Sequence, residues 1–375
     1  MDQTRPEDQI AVGAAPDEKL IVDPDGDVIL AVSPVTTGTE KKSGPPRRFL
    51  ASSKILKLAS PVFTKMFSPS FREGAALESE TCPVIQLGEE DLDAMELLLR
   101  AVHFDTDKVS KTEQTPHTLA ELAILSDKYD CNRALKPWIV LWFHKFNFQE
   151  VDGIEDLDQL ALGKLVLAGY LFRSSYFDLM CADVAKHLVK TFLLSWDEEP
   201  RITAHVPDSV IGSFKLFQLS TGPCLTTNID SLSNEAERLR FDLRSVIEGV
   251  QVCLRGANTS FGTWKLACPI CLEPRRKKDQ RCGCCHEPIK SCTPEGRVGE
   301  YFDILSRFGL WPSSHRESLS AHKIAAKMSD ISEEGVKDHR CNAGELCPLI
   351  SEMTLLKARG VDILEEDTEI SFSGT

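Results

Sequence analysis

Four cysteines in the second half of the chain have a type and spacing that could bind a metal ion. They form two Cys-x2-Cys pairs, which are Cys268 with Cys271 and Cys282 with Cys285. Four thiolates presented in this way suit tetrahedral Zn²⁺, so the sequence predicts a structural zinc site. Cys284, His286 and Cys292 offer alternative ligands. The other interpretation is a cysteine-rich surface loop whose thiols stay reduced in an intracellular compartment.

A short basic run lies between the two cysteine pairs. It reads Arg275-Arg276-Lys277-Lys278, with Arg281 close by. A solvated loop is the commoner origin of such a run, and a nuclear-import signal or a phosphate contact is the alternative. A nuclear regulator that uses this basic, cysteine-rich loop is therefore one functional hypothesis.

The composition sets limits on the compartment and on the partners. The chain has 375 residues, a formal net charge of -14 and 13 cysteines. A net charge of this sign disfavours nonspecific binding to nucleic acid or to anionic membranes. The cysteines are too dilute for a disulfide scaffold, and no apolar run is long enough for a signal peptide or a bilayer span. We expect an intracellular protein, cytoplasmic or nuclear, for which neither a membrane nor nucleic acid is the expected partner.

The sequence contains no recognisable catalytic motif. It lacks the glycine-rich phosphate-binding and dinucleotide-binding patterns, and it lacks the Gly-x-Ser-x-Gly nucleophile elbow. His286-Glu287 precedes Pro288 and lacks the second histidine of a metalloprotease helix. We therefore expect a protein that performs no catalysis of its own.

The first part of the chain is predicted to begin with short strands. Residues 1–20 are polar and predict a disordered tail. Val28–Val32 and Phe49–Ala51 predict two strands that pair like a hairpin, and Val84–Leu87 predicts a third strand. With the helices that follow, this arrangement indicates an α+β domain.

Helices are predicted between and after these strands. Ile55, Leu58 and Ala59 predict one buried helix face, and Ser60-Pro61 predicts the start of a second helix. Asp91 predicts the start of a further helix. The residues expected on the buried face of that helix are Leu92, Met95, Leu98, Leu99 and Val102.

The rest of the chain is predicted to be mostly α-helical. A helical region covers 157–260, with a long amphipathic helix near 231–254. A cysteine-rich loop covers 261–295, and a helical region with an acidic end covers 296–375. The long helix has apolar residues at heptad spacing, namely Leu232, Ala236, Leu239, Leu243, Val246, Val250 and Cys253. This pattern predicts either packing on its own domain or a surface for pairing with another helix.

Several segments of the first part resemble the BTB/POZ domain, and most closely the variant found in many fungal proteins. The matching segments are Asp27-Val28, Phe49-x-Ala51, Ile55-Leu56, Ser60-Pro61-Val62-Phe63, Phe71-x-Glu73, Leu87, the helix that starts at Asp91, and Asp127-Lys128-Tyr129. The resemblance covers 21–147. It implies a small sheet wrapped by helical hairpins and a role in association with other proteins or with a second copy. Ser52-Ser53 departs from the basic pair of many members, which in animal members lines a peptide-binding groove.

Phe71-Arg72-Glu73 stands where adaptor-type BTB/POZ members carry a hydrophobic-x-Glu motif. In those members the motif contacts a cullin scaffold, so the resemblance implies a substrate adaptor for a cullin-based ubiquitin ligase. An apolar anchor next to a carboxylate can supply one buried contact and one electrostatically steered contact. The other interpretation is that Phe71 completes the core and that Glu73 is a solvated turn residue.

The sequence as a whole favours an interaction protein over an enzyme. The main hypothesis is a scaffold or dimerisation protein that acts through a BTB/POZ-like domain. The cullin adaptor, with Phe71 and Glu73 as partner-binding residues, and the nuclear regulator are the alternatives. The only cofactor expected is structural Zn²⁺.

Overall fold

The structure is a computed structural model that describes residues 19–35, 45–145, 154–212, 232–256, 293–335 and 347–365. The chain divides into two compact units. Unit 1 comprises Met1–Phe146 and Leu171–Ser174, and unit 2 comprises Asn147–Tyr170 and Ser175–Thr375. The described residues combine a small mixed sheet with many helices, so the predicted α+β class is confirmed. None of the described helices is long and apolar enough to cross a membrane.

A four-stranded sheet in unit 1 has the order β1-β3-β2-β4. The strands are β1 (Lys19–Ile21), β2 (Val28–Pro34), β3 (Arg47–Ala51) and β4 (Val84–Glu90). β2 and β3 are antiparallel, as the predicted hairpin-like pair requires, whereas β4 runs parallel to β2. β1 pairs in parallel with β3 and was not predicted, and its residues Lys19 and Leu20 fall in the segment predicted to be a disordered tail. Three residues are too few for an alternating pattern, so the pairing alone defines this strand.

Short helices pack around this sheet, and local capping signals place several of their ends. They are α1 (Ser53–Ala59), α2 (Pro61–Met66), α3 (Arg72–Ser79), α4 (Leu92–Val102), α5 (Thr106–Lys111), α6 (Pro116–Lys128) and α7 (Asn132–Lys145). Ser60 Oγ accepts the Phe63 N–H at 3.0 Å, as predicted for a cap before Pro61. Asp91 Oδ1 accepts the Ala94 N–H at 2.8 Å and caps α4.

The core of unit 1 centres on α4, which is buried around almost its whole circumference. Its predicted face is confirmed for Met95, Leu98, Leu99 and Val102. The predicted face of α1 is wrong at one position, because Leu58 is 82% exposed and Leu56 is the buried leucine. A helix of seven residues completes only two turns, so a periodic pattern cannot fix which side faces the core.

The helices that follow are α8 (Gln159–Leu171), α9 (Phe177–His187), α10 (Phe192–Asp197), α11 (Pro200–His205), α12 (Asp208–Ile211), α13 (Leu232–Gly256), α14 (Pro294–Arg307), α15 (Ser313–Glu317), α16 (Ala321–Asp330) and α17 (Pro348–Glu365). A π-helical turn, Ile331–Gly335, continues α16.

The long helix α13 lies at the centre of unit 2. It contacts α9, α14, α16 and α17. Its buried stripe comprises Ala236, Leu239, Leu243, Ile247, Val250 and Leu254. The predicted heptad instead included Cys253, which is exposed. The buried stripe thus ends at position 254 instead of position 253, as expected for a straight helix with 3.6 residues per turn. Together with the contacts to the neighbouring helices, this shows that α13 packs on its own unit.

Candidate functional site

Phe71 and Glu73, the two predicted partner-binding residues, lie together at the start of α3. Phe71 occupies the N-cap position with extended backbone, and its side chain is 42% exposed. The Glu73 side chain is 24% exposed and pairs with Arg72, whose Nη2 lies 3.5 Å from Glu73 Oε1. A carboxylate in the first turn also interacts favourably with the helix dipole. The Phe71 ring therefore reaches the surface, and its role as a partner contact stays a prediction.

A glycine that the sequence analysis did not single out fixes the position of this pair. The Phe71 N–H donates to the Ser68 carbonyl at 3.0 Å, which closes the turn before α3. Gly74 lies against the same turn, and a Cβ at this position would overlap the Ser68 carbonyl group. Gly74 therefore permits a close approach of α3 to the turn. The only sequence signal was a glycine directly after the hydrophobic-x-Glu motif.

An open groove of about 830 Å³, here called the α1–α2 groove, lies beside α1, α2 and the start of α7. Its apolar lining includes Leu58, Pro61 and Ala134. Leu58 is 82% exposed, the largest exposure among the large apolar side chains of the described residues. A concave surface that combines apolar side chains with a few polar groups is the usual setting of a binding site. Sequence analysis missed this groove because its residues come from two parts of the chain that meet only in the fold.

A buried hydrogen bond and a stacked pair of aromatic rings lie next to the α1–α2 groove. Ser60 is fully buried, and its hydroxyl donates to the Tyr129 carbonyl while it accepts the Phe63 N–H. The Phe63 and Tyr129 rings stack with centroids 4.9 Å apart. These contacts join the α1–α2 corner to the end of α6. Asp130 follows with a φ of 50°, a left-handed conformation that aspartate tolerates better than most residues.

The start of α1 is held by two side chains from other elements. Ser53 donates its backbone N–H to Asp27 Oδ1 at 2.6 Å and its hydroxyl to Asp27 Oδ2 at 2.7 Å. Burial raises the pKa of Asp27, but the hydrogen bonds from Ser53 outweigh that effect and lower it overall. The Ser52 N–H donates to His103 Nε2 at 3.1 Å. The two serines that depart from the BTB/POZ pattern thus anchor this helix.

We expect His103 to make the stability of the protein depend on pH. Its Nδ1 lies 2.7 Å from the Leu99 carbonyl while its Nε2 accepts the Ser52 N–H, and this pair of contacts requires a neutral ring with the proton on Nδ1. Burial lowers the pKa of His103, so the unfolded chain binds a proton that the folded protein resists. We expect the free energy of unfolding to fall as the pH drops below about 6.5. In His103→Gln, urea unfolding at several pH values should show a shallower dependence.

The exposed His144 of α7 provides a matched control. His144→Gln should leave the pH dependence unchanged, because it replaces an exposed side chain and alters no buried group. Equal slopes in the wild type and in His103→Gln would contradict the prediction. Burial also lowers the pKa of His187 in α9, to about 4. His187 therefore contributes to the pH dependence of unfolding both in the wild type and in His103→Gln.

Titratable residues of unit 2 form a second polar cluster. The His187 and His322 rings stack with centroids 4.5 Å apart, and His322 Nε2 lies 3.1 Å from Glu155 Oε1. Within the described ranges, no group of three or more histidine, cysteine or acidic side chains has a geometry that could hold a metal ion. The stacked rings of His187 and His322 join α9 to α16.

The cysteines divide between described and undescribed parts of the chain. The predicted zinc ligands Cys268, Cys271, Cys282 and Cys285, the alternative ligands and the basic run lie outside the described residues. Burial raises the pKa of Cys131 to about 12 and that of Cys181 well above its ordinary value. Both thiols are therefore protonated at neutral pH, and neither is activated as a nucleophile.

The geometry defines an α+β protein whose first unit carries an open groove and the aromatic–carboxylate pair of Phe71 and Glu73, of which the Phe71 ring is exposed and Glu73 is half-buried. No family model matches the chain, and the searches of curated proteins and of solved structures found no match.

Proposed function

We propose that the protein is a non-catalytic interaction protein, a scaffold or dimerisation module, that binds its partners through unit 1. The observation that carries this proposal is the α1–α2 groove with the exposed Leu58. Water contact with an aliphatic side chain is unfavourable, and a partner that covers the side chain removes that contact. The resemblance of 21–147 to the BTB/POZ domain supports the same function. A small mixed sheet with short helices packed around it agrees with that fold.

The proposal predicts that partner binding depends on Leu58. We expect Leu58→Ser in the full chain to lose partners in affinity purification with mass spectrometry, or to lose self-association in sedimentation. Leu141→Ser is the matched control, because Leu141 is a 55% exposed leucine of the same unit outside the groove. Both substitutions are at the surface and should leave the melting temperature nearly unchanged. Identical partners and oligomeric state in all three proteins would refute the proposal.

A second candidate function is a substrate adaptor for a cullin-based ubiquitin ligase. The specific observation that favours it is the exposed ring of Phe71 at the N-cap of α3, with the Glu73 carboxylate in the first turn of the same helix. Such a surface anchor is able to dominate the energy of a protein interface.

The adaptor function predicts that Phe71→Ala with Glu73→Ala lowers co-purification of a cullin by about tenfold or more, because hot-spot truncations commonly weaken binding to this extent. Phe104→Ala with Glu78→Ala is a matched double variant, since Phe104 and Glu78 are also exposed in unit 1. Quantitative co-precipitation from cells that express a tagged cullin measures the effect. Cullin recovery that is equal for the two double variants would exclude this function.

A further inference from the structure

The charged residues of the α1–α2 groove have a sign opposite to that of the whole chain. Lys57, Lys65 and Arg133 line it together with a single carboxylate, Asp130, although the chain has a net charge of -14. Lys57 Nζ lies over the Phe67 ring, 6.0 Å from its centroid. Neither Lys65 nor Arg133 makes an ion pair with any residue that the structure describes. The groove therefore presents cations whose charge is available to a partner.

The apolar and cationic residues of the groove are neighbours. Leu58 and Pro61 lie on the same helix pair as Lys57 and Lys65, and Arg133 reaches the groove from α7. An aliphatic or aromatic side chain can cover Leu58 while flanking carboxylates face the cations. Arg133 is suited to this role, because a guanidinium group binds a carboxylate with two parallel hydrogen bonds.

The same charges argue against a second copy in this groove. In a twofold symmetric contact whose axis passes through the groove, each groove faces the identical groove of its partner. Lys57, Lys65 and Arg133 would then oppose three identical cations, and like charges across an interface are unfavourable. Ser52 and Ser53, which stand at the position of the basic pair in many BTB/POZ members, do not line the groove.

We propose that the α1–α2 groove binds an acidic peptide segment of a partner protein, with one apolar side chain placed on Leu58 and with carboxylates paired to Lys65 and Arg133. This inference rests on the proposed interaction function and adds the chemistry of the partner. It predicts salt-sensitive binding, because exposed ion pairs are screened by dissolved salt. It also predicts that neither the apolar anchor nor the acidic flanks suffice alone.

A labelled peptide tests this inference on the full chain. The probe is a fluorescein-labelled peptide with a central leucine between two runs of glutamate and aspartate, measured by fluorescence anisotropy. We expect binding that weakens by about tenfold between low and physiological salt. Lys65→Glu with Arg133→Glu should weaken it by about tenfold or more, and Leu58→Ser by about fivefold. Peptides with amides in place of the acids, or with serine in place of the leucine, should bind correspondingly less.

Matched surface variants separate the groove from general charge and general exposure. Lys136→Glu changes an exposed lysine of α7 outside the groove lining, and Leu141→Ser changes an exposed leucine. Both should bind the acidic peptide within about twofold of the wild type. Circular dichroism of each variant confirms that it remains folded.

Four outcomes would overturn the inference, and the partners that Leu58→Ser retains or loses report separately on the proposed function. If the groove variants bind the acidic peptide as tightly as the wild type does, the peptide binds to another surface. If the peptide does not bind but Leu58→Ser still loses partners, the proposed interaction function stands and the acidic character of the partner is refuted. If the wild type is a dimer, Leu58→Ser is a monomer and neither binds the peptide, the groove binds a second copy of the chain. If Leu58→Ser changes neither partners nor peptide binding, both proposals fail together.

Discussion

Gly74→Ala is expected to destabilise the protein by about 2–4 kcal/mol, although alanine is the better helix former. In an unobstructed helix this exchange stabilises by about 1 kcal/mol. At Gly74 the added Cβ would overlap the Ser68 carbonyl group and lie 2.9 Å from the Phe67 carbonyl carbon. These are backbone atoms, which cannot rotate away as a side chain can. Helix α3 must therefore shift away from the turn that precedes it.

The control for this prediction is the same exchange at a glycine with open surroundings. Gly249 lies within α13, and a Cβ added there meets nothing within 4 Å. Gly249→Ala should raise the free energy of unfolding by about 0.5–1 kcal/mol, which reverses the sign seen at Gly74. Urea unfolding followed by circular dichroism measures both. A Gly74→Ala protein as stable as the wild type would show that α3 approaches the turn less closely than described.

The position of Gly74 links this stability effect to the surface of unit 1. Phe71 and Glu73 lie within the same turn of α3, and Phe71 makes the hydrogen bond to Ser68 that closes the turn. A shift of α3 therefore moves the aromatic–carboxylate pair. If this pair contacts a cullin, Gly74→Ala should weaken that contact without removing either side chain.

Sequence reasoning succeeded where the determining groups are close neighbours in the chain. Ser60 and Asp91 cap helices because their side chains reach backbone groups three residues later, so the signal is contained in four residues. The β2–β3 pairing followed in the same way from two short apolar runs on either side of a polar loop. Signals of this kind can be read without the tertiary structure because the groups that they involve lie within one short segment or in two neighbouring segments.

The missed features depend on groups that are distant in sequence. Asp27 caps α1 through Ser53, 26 residues further along the chain, and no local pattern marks such a pair. The α1–α2 groove joins Lys65 to Arg133 and becomes concave only when α7 packs beside α2. The exposure of Leu58 likewise follows from which face of a short helix the rest of unit 1 leaves uncovered. The residue types were visible in the sequence, but their juxtaposition was not.

In unit 2, Trp196→Ala is expected to lower the free energy of unfolding by about 3–5 kcal/mol. Trp196 lies in α10, is fully buried and packs edge-on against Phe192, with ring centroids 4.8 Å apart. Its Nε1 donates to the Gln159 carbonyl at 2.7 Å. Alanine leaves a cavity and removes this hydrogen bond, whereas Trp196→Phe should cost less because part of the ring volume remains. Leu194→Ala, at a 66% exposed position of the same helix, should change stability by less than about 0.5 kcal/mol.

A double-mutant cycle with Gly163 identifies the packing contact itself. A Cβ at Gly163 of α8 would lie 2.6 Å from Trp196 Nε1 and 2.7 Å from Ile202 Cδ1. Gly163→Ala alone should therefore destabilise by about 1–3 kcal/mol. In the Trp196→Ala background the contacts with the indole ring are gone and only the end of the flexible Ile202 side chain remains close, so Gly163→Ala should destabilise the protein much less than it does alone. If the two substitutions change the free energy of urea unfolding additively, Gly163 does not pack against the indole ring as the structure shows.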